Sequence, residues 1–250
     1  MKKFLPLLLL AASVNAIAAD NFDVTSEKIK SALKSEIRTE SETDRDKNRN
    51  ALQTLEFFGL REDMKIIELI PGSGWYTKIL APVVSDKGEY FAALGTSRIK
   101  SLSKEPGFEK IKLVAEDAKL FRKKGERFYS LEADSLGVKD LDMVFTFRNY
   151  HNFGEEGRRN MNTIAFEALK PGGIYAVVDH TARHMEQRNP ANRRRIDPVL
   201  AIKEIQEAGF ELVDYSDLHY RADDELRYEV GVKSVSGNTD RWTIKFRKPN

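Results

Sequence analysis

The chain has 250 residues, 41% hydrophobic and 32% charged, enough for one sizeable core with additions. Of its 41 lysines and arginines, Lys2 and Lys3 sit in a leader, so the rest balance the 39 acidic residues and give no general argument for nucleic acid or an anionic membrane. Cysteine is absent, which excludes disulfides, thiolate metal sites and cysteine nucleophiles.

The leader is the first element. Lys2-Lys3 form a positive start, Phe4 to Leu10 an apolar region, and Ala16-Ile17-Ala18-Ala19 a small-residue cleavage site. This pattern predicts a signal peptide over 1–19 and a periplasmic or secreted mature protein. The apolar stretch is short for a membrane span, so no stable insertion is expected once it is removed.

Residues 20–60 read as an N-terminal helical extension. Ile29, Leu33 and Ile37 recur every four residues as a narrow apolar stripe. A second helix is expected from about Thr43 to Phe58, with Leu52, Leu55, Phe57 and Phe58 inward and Gly59 closing it. Arg45, Asp46 and Arg49 read as an exposed salt-bridged face, with part of a lid as the alternative.

From residue 61 to 250 the pattern alternates. Strands are expected at Lys65–Ile70, Glu89–Leu94, Ile111–Ala115, Leu141–Phe147, Ile174–Asp179, Phe210–Tyr215 and Trp242–Arg247. Helices are expected at Trp75–Ala81, stopped by Pro82, at Asn160–Leu169, ended by Lys170-Pro171-Gly172-Gly173, and at Pro198–Ala208. Strands alternating with helices argue for an α/β fold: a parallel sheet covered on both faces. The last two strands have no helix between them and should pair antiparallel.

Glu68-Leu69-Ile70-Pro71-Gly72-Ser73-Gly74-Trp75-Tyr76 is the first chemical signal. An apolar strand ends in an acid, a glycine pair and the start of a helix, the grammar of a nucleotide-type pocket. No third glycine stands at the Thr77 position, and the second strand ends without an acid to hold ribose hydroxyls, with Ser97 a weak substitute. Both features disfavour an NAD(P)-dependent oxidoreductase. Phe147-Arg148-Asn149-Tyr150-His151-Asn152-Phe153 and Asp179-His180-Thr181-Ala182-Arg183-His184 follow the fourth and fifth strands, at the carboxyl edge where open parallel sheets bind ligands. Arg148 offers a fixed positive fork, Asn149 donors and acceptors, and His151 or His180 a proton acceptor near neutral pH. His180 and His184 have helical metal-ligand spacing but no evident third ligand, so no metal is expected.

The element order, Glu68 to Tyr76, Phe145 to Asn152 and Leu169-Lys170-Pro171-Gly172-Gly173 together resemble the class I S-adenosylmethionine (SAM)-dependent methyltransferases, and more narrowly a group of secreted, predicted methyltransferases of bacteria. The resemblance covers roughly residues 45–250. It implies a doubly wound, mostly parallel seven-stranded Rossmann-like sheet with a reversed last strand. It implies SAM as cofactor, held by Glu68, Pro71, Gly72, Gly74 and Trp75, and Asp117 as acceptor for the adenine amino group. Ile70 replaces the family's first glycine. Asp117 could instead cap a helix, and Trp75 could instead pack in the core.

The sequence therefore reads as a SAM-dependent methyltransferase acting on an unidentified acceptor. His151 is the candidate base, His180 the second, and Arg148 and Asn149 position the acceptor. The alternative is a catalytically inactive methyltransferase-fold binding protein in the periplasm, since SAM is made in the cytoplasm.

Overall fold

The structure, a computed structural model, describes residues 22–250. The leader and its cleavage sites lie outside the described residues. Four helices come first: α1 (Phe22–Leu33), α2 (Glu40–Thr43), α3 (Asp46–Arg49) and α4 (Ala51–Phe58). Then follow β1 (Lys65–Leu69), α5 (Thr77–Val84), β2 (Glu89–Ala93) and β3 (Lys112–Val114), and a hairpin of β4 (Lys119–Phe121) and β5 (Ser130–Glu132). The chain ends with β6 (Leu141–Phe147), α6 (Glu155–Ala168), β7 (Leu169–His180), α7 (Pro198–Glu207), β8 (Glu211–Ser216) and β9 (Arg241–Arg247).

Seven strands form one sheet in the order β3-β2-β1-β6-β7-β9-β8. All neighbours are parallel except β9, which is antiparallel to both β7 and β8. The order reverses between β1 and β6, and such a switch point opens a crevice at the carboxyl edge. The expected doubly wound sheet with a reversed last strand is what forms.

Alternation along the central strands sends neighbouring side chains into two cores. Ile66 and Phe145 face a cluster with Ile29, Leu55, Phe58, Ile79 and Leu80. Ile67 and Val144 face a second cluster with Ile164, Ala165, Ile205 and Phe246. Helices α1, α4 and α5 thus cover one face, and α6 and α7 the other. The N-terminal helices share a core with the sheet: Ile29 and Phe58 are fully buried in the cluster that holds Ile66 and Phe145.

Several element limits differ from the sequence reading. Helix α1 ends at Leu33, so Ile37 is not on it. The helix expected over Thr43–Phe58 is two short helices, α3 and α4, broken where Asn50 adopts a left-handed φ of 42° and donates from Nδ2 to Leu218 O at 2.9 Å. Pro82 lies inside α5 rather than ending it. Val83 and Val84 beyond it are fully buried, and that burial outweighs the one backbone bond a proline omits. Helix α6 begins at Glu155, earlier than Asn160. Lys170–Gly173 is a bulge inside β7: pairing with β6 jumps from Leu141↔Leu169 to Met143↔Ile174. The β4–β5 hairpin was not foreseen, since strands of three residues carry no readable period.

Candidate active site at the carboxyl edge of the sheet

Four parallel strands end in the same way. The non-glycine residues Ile70, Leu94, Ala115 and Arg148, just past β1, β2, β3 and β6, have φ of 55°, 64°, 51° and 59°. A left-handed conformation disfavours L-residues by about 1–2 kcal/mol each, more for branched Ile70, and such strain clusters at functional edges. At Ile70 it is held by two bonds: its N–H donates to Ala93 O at 2.9 Å, and its carbonyl accepts from Asn149 Nδ2 at 3.0 Å. Asn149 Nδ2 also donates to Phe147 O at 3.0 Å, so Asn149 ties the tips of β1 and β6 together.

The glycine turn begins there. Pro71 is buried. Gly72 has φ 60°, and a Cβ built on it would meet nothing within 4 Å. Its open side faces a cavity of about 310 Å³ lined by Ile70, Gly95, Ser97, Tyr129, Asn149 and Asn152 among others. Gly74 is constrained differently. A Cβ would come within 2.9 Å of Leu102 and 3.0 Å of Ile99, so glycine there serves packing behind the turn.

Of the six residues assigned to the cofactor by resemblance, Gly72 lines this cavity, whereas Pro71 and Gly74 lie in the turn behind it and Glu68, Trp75 and Asp117 lie elsewhere. Glu68 is buried under the turn, where its Oε2 accepts from Thr77 Oγ1 at 2.7 Å and Tyr90 OH at 2.6 Å. Trp75 is buried, donates from Nε1 to Glu42 O at 2.8 Å and packs edge-on against Tyr76. Asp117 is exposed in the turn between β3 and β4.

Burial pushes Glu68 up from 4.5 to about 7, against the two hydroxyl donors that favour its charged form. Because its native pKa is raised, its contribution to stability is full below pH 4.5 and is lost as the pH rises through 7, a loss of about 3 kcal/mol. Glu68→Gln stays neutral and keeps an oxygen for both hydroxyls. Urea unfolding should therefore place it near wild type at pH 4.5 and above wild type at pH 8. A wild-type midpoint that did not fall relative to Glu68→Gln between these values would show the carboxylate to be well solvated.

The loop after β6 and the end of β7 meet in a dyad. Asp179, fully buried, accepts from His151 Nδ1 at 2.5 Å, from the His151 backbone N–H at 2.8 Å and from the His180 N–H at 2.6 Å. With Nδ1–H given to the carboxylate, His151 presents Nε2 as a lone pair, and Nε2 has no hydrogen-bond partner among the described residues. His180 lies beside it with ring centroids 5.6 Å apart, and its Nδ1 is bonded to Thr239 Oγ1 at 2.9 Å. Burial, and then the neighbouring His151, hold His180 well below the usual histidine pKa, so it stays neutral. His184 points away, to Asp197 at 2.9 Å. Of the two histidines that meet at this edge, His151 is thus the one with a carboxylate behind it and a free nitrogen in front.

His151 and Asn152 also line a second cavity of about 380 Å³, with Arg148, His180 and Arg241 and, from the N-terminal segment, Arg45, Asn48 and Arg49. Asn152 borders both cavities. Sequence reading placed Arg49 on an exposed face, but it is 4% exposed, because the Asn50 turn folds it inward over Trp75. Arg241 and Asn48 were not singled out. For Arg241 a signal existed: a reversed last strand begins at the edge where the parallel strands end, and Arg241 pairs with His180 there.

No protein-family model matches the chain, and no curated protein matches its sequence. Solved structures do match its fold. A SAM-dependent methyltransferase from Aquifex aeolicus superposes with a TM-score of 0.56 at 15% identity, over 89% of this chain and 97% of that one. The glycopeptide N-methyltransferase MtfA superposes with a TM-score of 0.53 at 18% identity, over 82% and 91%. The fold is that of the class I SAM-dependent methyltransferases. MtfA complexed with sinefungin, a SAM analogue, matches at 17% identity with a TM-score of 0.53, over 82% and 94%. The [4+2]-cyclase SpnF matches as well, with a TM-score of 0.54 at 13% identity over 91% and 93%. A methyltransferase fold therefore does not by itself dictate the reaction, which has to be argued from the site.

Proposed function

We propose that this protein is a SAM-dependent methyltransferase in which His151, backed by Asp179, is the general base. The observation that carries the reading is the adjacency of two cavities. One opens on Gly72 at the switch point, and the other is lined by His151, with Asp179 buried behind it. The first suits SAM: the missing Cβ of Gly72 leaves room for close backbone approach, and Asn149 and Ser97 bring polar groups to its wall. When bound, SAM supplies a methyl group on a positive sulfur that departs as a neutral thioether.

The remaining work falls to the chain. Asn149 holds the β1 and β6 tips at a fixed separation. His151 Nε2 takes the proton that the acceptor's nucleophilic atom must shed, and Asp179 stabilises the resulting imidazolium. Arg45, Asn48 and Arg49 of the N-terminal segment line the second cavity and bring polar groups to the acceptor's side of the site. We also propose that the mature chain works beyond the inner membrane, on the strength of the leader at 1–19. Among the described residues no helix is long and apolar enough to cross a membrane.

Calorimetric titration of SAM, and of its demethylated product, into the mature protein tests the cofactor reading. Saturable binding is expected, weakened at least about tenfold in Gly72→Val, whose side chain would occupy the cavity at a positive φ. Absence of binding by wild type shown to be folded would remove methyl transfer as the function.

A further inference from the structure

The second cavity has a feature that general-base chemistry does not require. Five arginines line it, Arg45, Arg49, Arg148, Arg194 and Arg241, and no aspartate or glutamate does among the described residues. Arg194 is neutralised by Glu229. Arg49, Arg148 and Arg241 have no carboxylate partner among the described residues. A folded protein rarely buries cations without a counter-charge.

Each of the three is built in rather than draped on the surface. Arg49 is 4% exposed, its guanidinium lies 4.3 Å from the Trp75 ring centroid, and its carbonyl is bonded to His219 Nε2 at 3.0 Å. Arg241 is 6% exposed. Its NH1 donates to Asn48 O at 2.5 Å and its NH2 to Gly237 O at 3.5 Å, and its Nε is buried with no partner among the described residues. Arg148 sits on a left-handed residue that turns it at the strand tip, and its Nε too is buried without a partner. Burial, followed by the repulsion of Arg148, pulls Arg49 down to about 8 and Arg241 to about 10. Arg148 is lowered chiefly by burial. Asp179 and Asp240 act on Arg148 and Arg241 from a distance, but none of the three guanidiniums has a carboxylate in ion-pair contact among the described residues; with donors left open, they describe a receptor for an oxyanion.

We propose that the methyl acceptor is anionic, and that its phosphate or carboxylate group docks on Arg49, Arg148 and Arg241 with its nucleophilic atom beside His151. The anion site stands on its own geometry, whereas its assignment to an acceptor rests on the methyltransferase reading. The cation cluster then orients the acceptor in the cavity and holds its nucleophile close to His151 Nε2.

The test is calorimetric titration of inorganic phosphate and of succinate into the full mature chain at constant ionic strength set by sodium chloride, with SAM titrated in parallel. Saturable binding of at least one anion is expected, with the preferred one indicating a phosphate or a carboxylate acceptor. Arg148→Gln and Arg241→Gln should each weaken it at least about tenfold and leave SAM affinity within about twofold. Without the anion, Arg148→Gln should unfold at the same or a higher urea concentration than wild type, because it removes a cation with no ion-pair contact and no side-chain hydrogen bond among the described residues; this separates lost binding from lost folding. Absence of saturable anion binding, or binding that survives both substitutions, would overturn the proposal. So would an equal loss of SAM affinity in Arg148→Gln, which would assign the cluster to the cofactor's own carboxylate. Anion binding without SAM binding would keep the site and remove the methyl-transfer reading; SAM binding without anion binding would do the reverse.

Discussion

Replacing His151 with alanine should lower methyl-transfer turnover about 10²–10⁴-fold, the range that positioned proton transfer contributes. SAM affinity should stay within about twofold, because His151 borders the acceptor-side cavity and not the one that opens on Gly72. The reason lies in the position of Asp179. A buried carboxylate that accepts Nδ1–H fixes the ring orientation and leaves Nε2 as the reactive lone pair. The same carboxylate compensates the charge that His151 gains on taking a proton. Asp179→Asn should therefore reproduce most of the loss, since an amide cannot serve the three donors that Asp179 now accepts. The measurement is the rate of demethylated cofactor release with an acceptor that the wild-type protein methylates. Turnover retained by His151→Ala would mean that the acceptor loses its proton without a base, as a nucleophile already ionised at neutral pH would.

Asp224→Ala should destabilise the fold by about 3–5 kcal/mol, the cost of leaving a buried charge without its partner. Arg195 and Asp224 form an ion pair whose side chains are both completely buried, with two contacts of 2.9 Å. Arg195 also donates from Nε to Tyr228 O at 2.7 Å and from NH1 to Thr181 O at 3.0 Å. Asp224 accepts two backbone N–H groups as well, those of Leu226 at 3.0 Å and Asp240 at 2.7 Å. This pair holds the long connection between β8 and β9, which has no helix of its own and supplies Val230, Gly237 and Thr239 to the wall of the acceptor-side cavity. Urea unfolding followed by far-ultraviolet circular dichroism would measure the loss. A change below about 1 kcal/mol would show that water reaches the guanidinium and replaces the carboxylate, as at an exposed pair.

The central sheet was legible because burial on both faces writes itself as short apolar runs between turn signals. Leu141–Phe147 was read to the residue, and β1, β2 and β9 within one. The edge strand β3 is shorter than its apolar run, and α5 runs past its proline, because packing and not local propensity sets those ends. The dyad was half legible. His151 stood out as a polar residue after a buried strand, but that Asp179 rather than His180 would back it depends on which face each side chain of β7 takes. Alternation leaves that open until the register with β6 and β9 is set.

Linear order was enough to announce an α/β sheet, a glycine turn after its first strand and polar loops along one edge, since strand periodicity and glycine chemistry act over a few residues. It did not reveal where Glu68 and Asp117 point, or that Arg49, Arg148 and Arg241 share one cavity. Those arginines are separated by about 190 residues of chain from first to last. Their convergence depends on the Asn50 turn, on the left-handed tip of β6 and on the reversal of β9. The reversal of β9 could be read from the missing helix before it, whereas the Asn50 turn and the left-handed tip of β6 leave no mark in composition or periodicity, because each is decided by side chains that meet only when the sheet closes over its two cores.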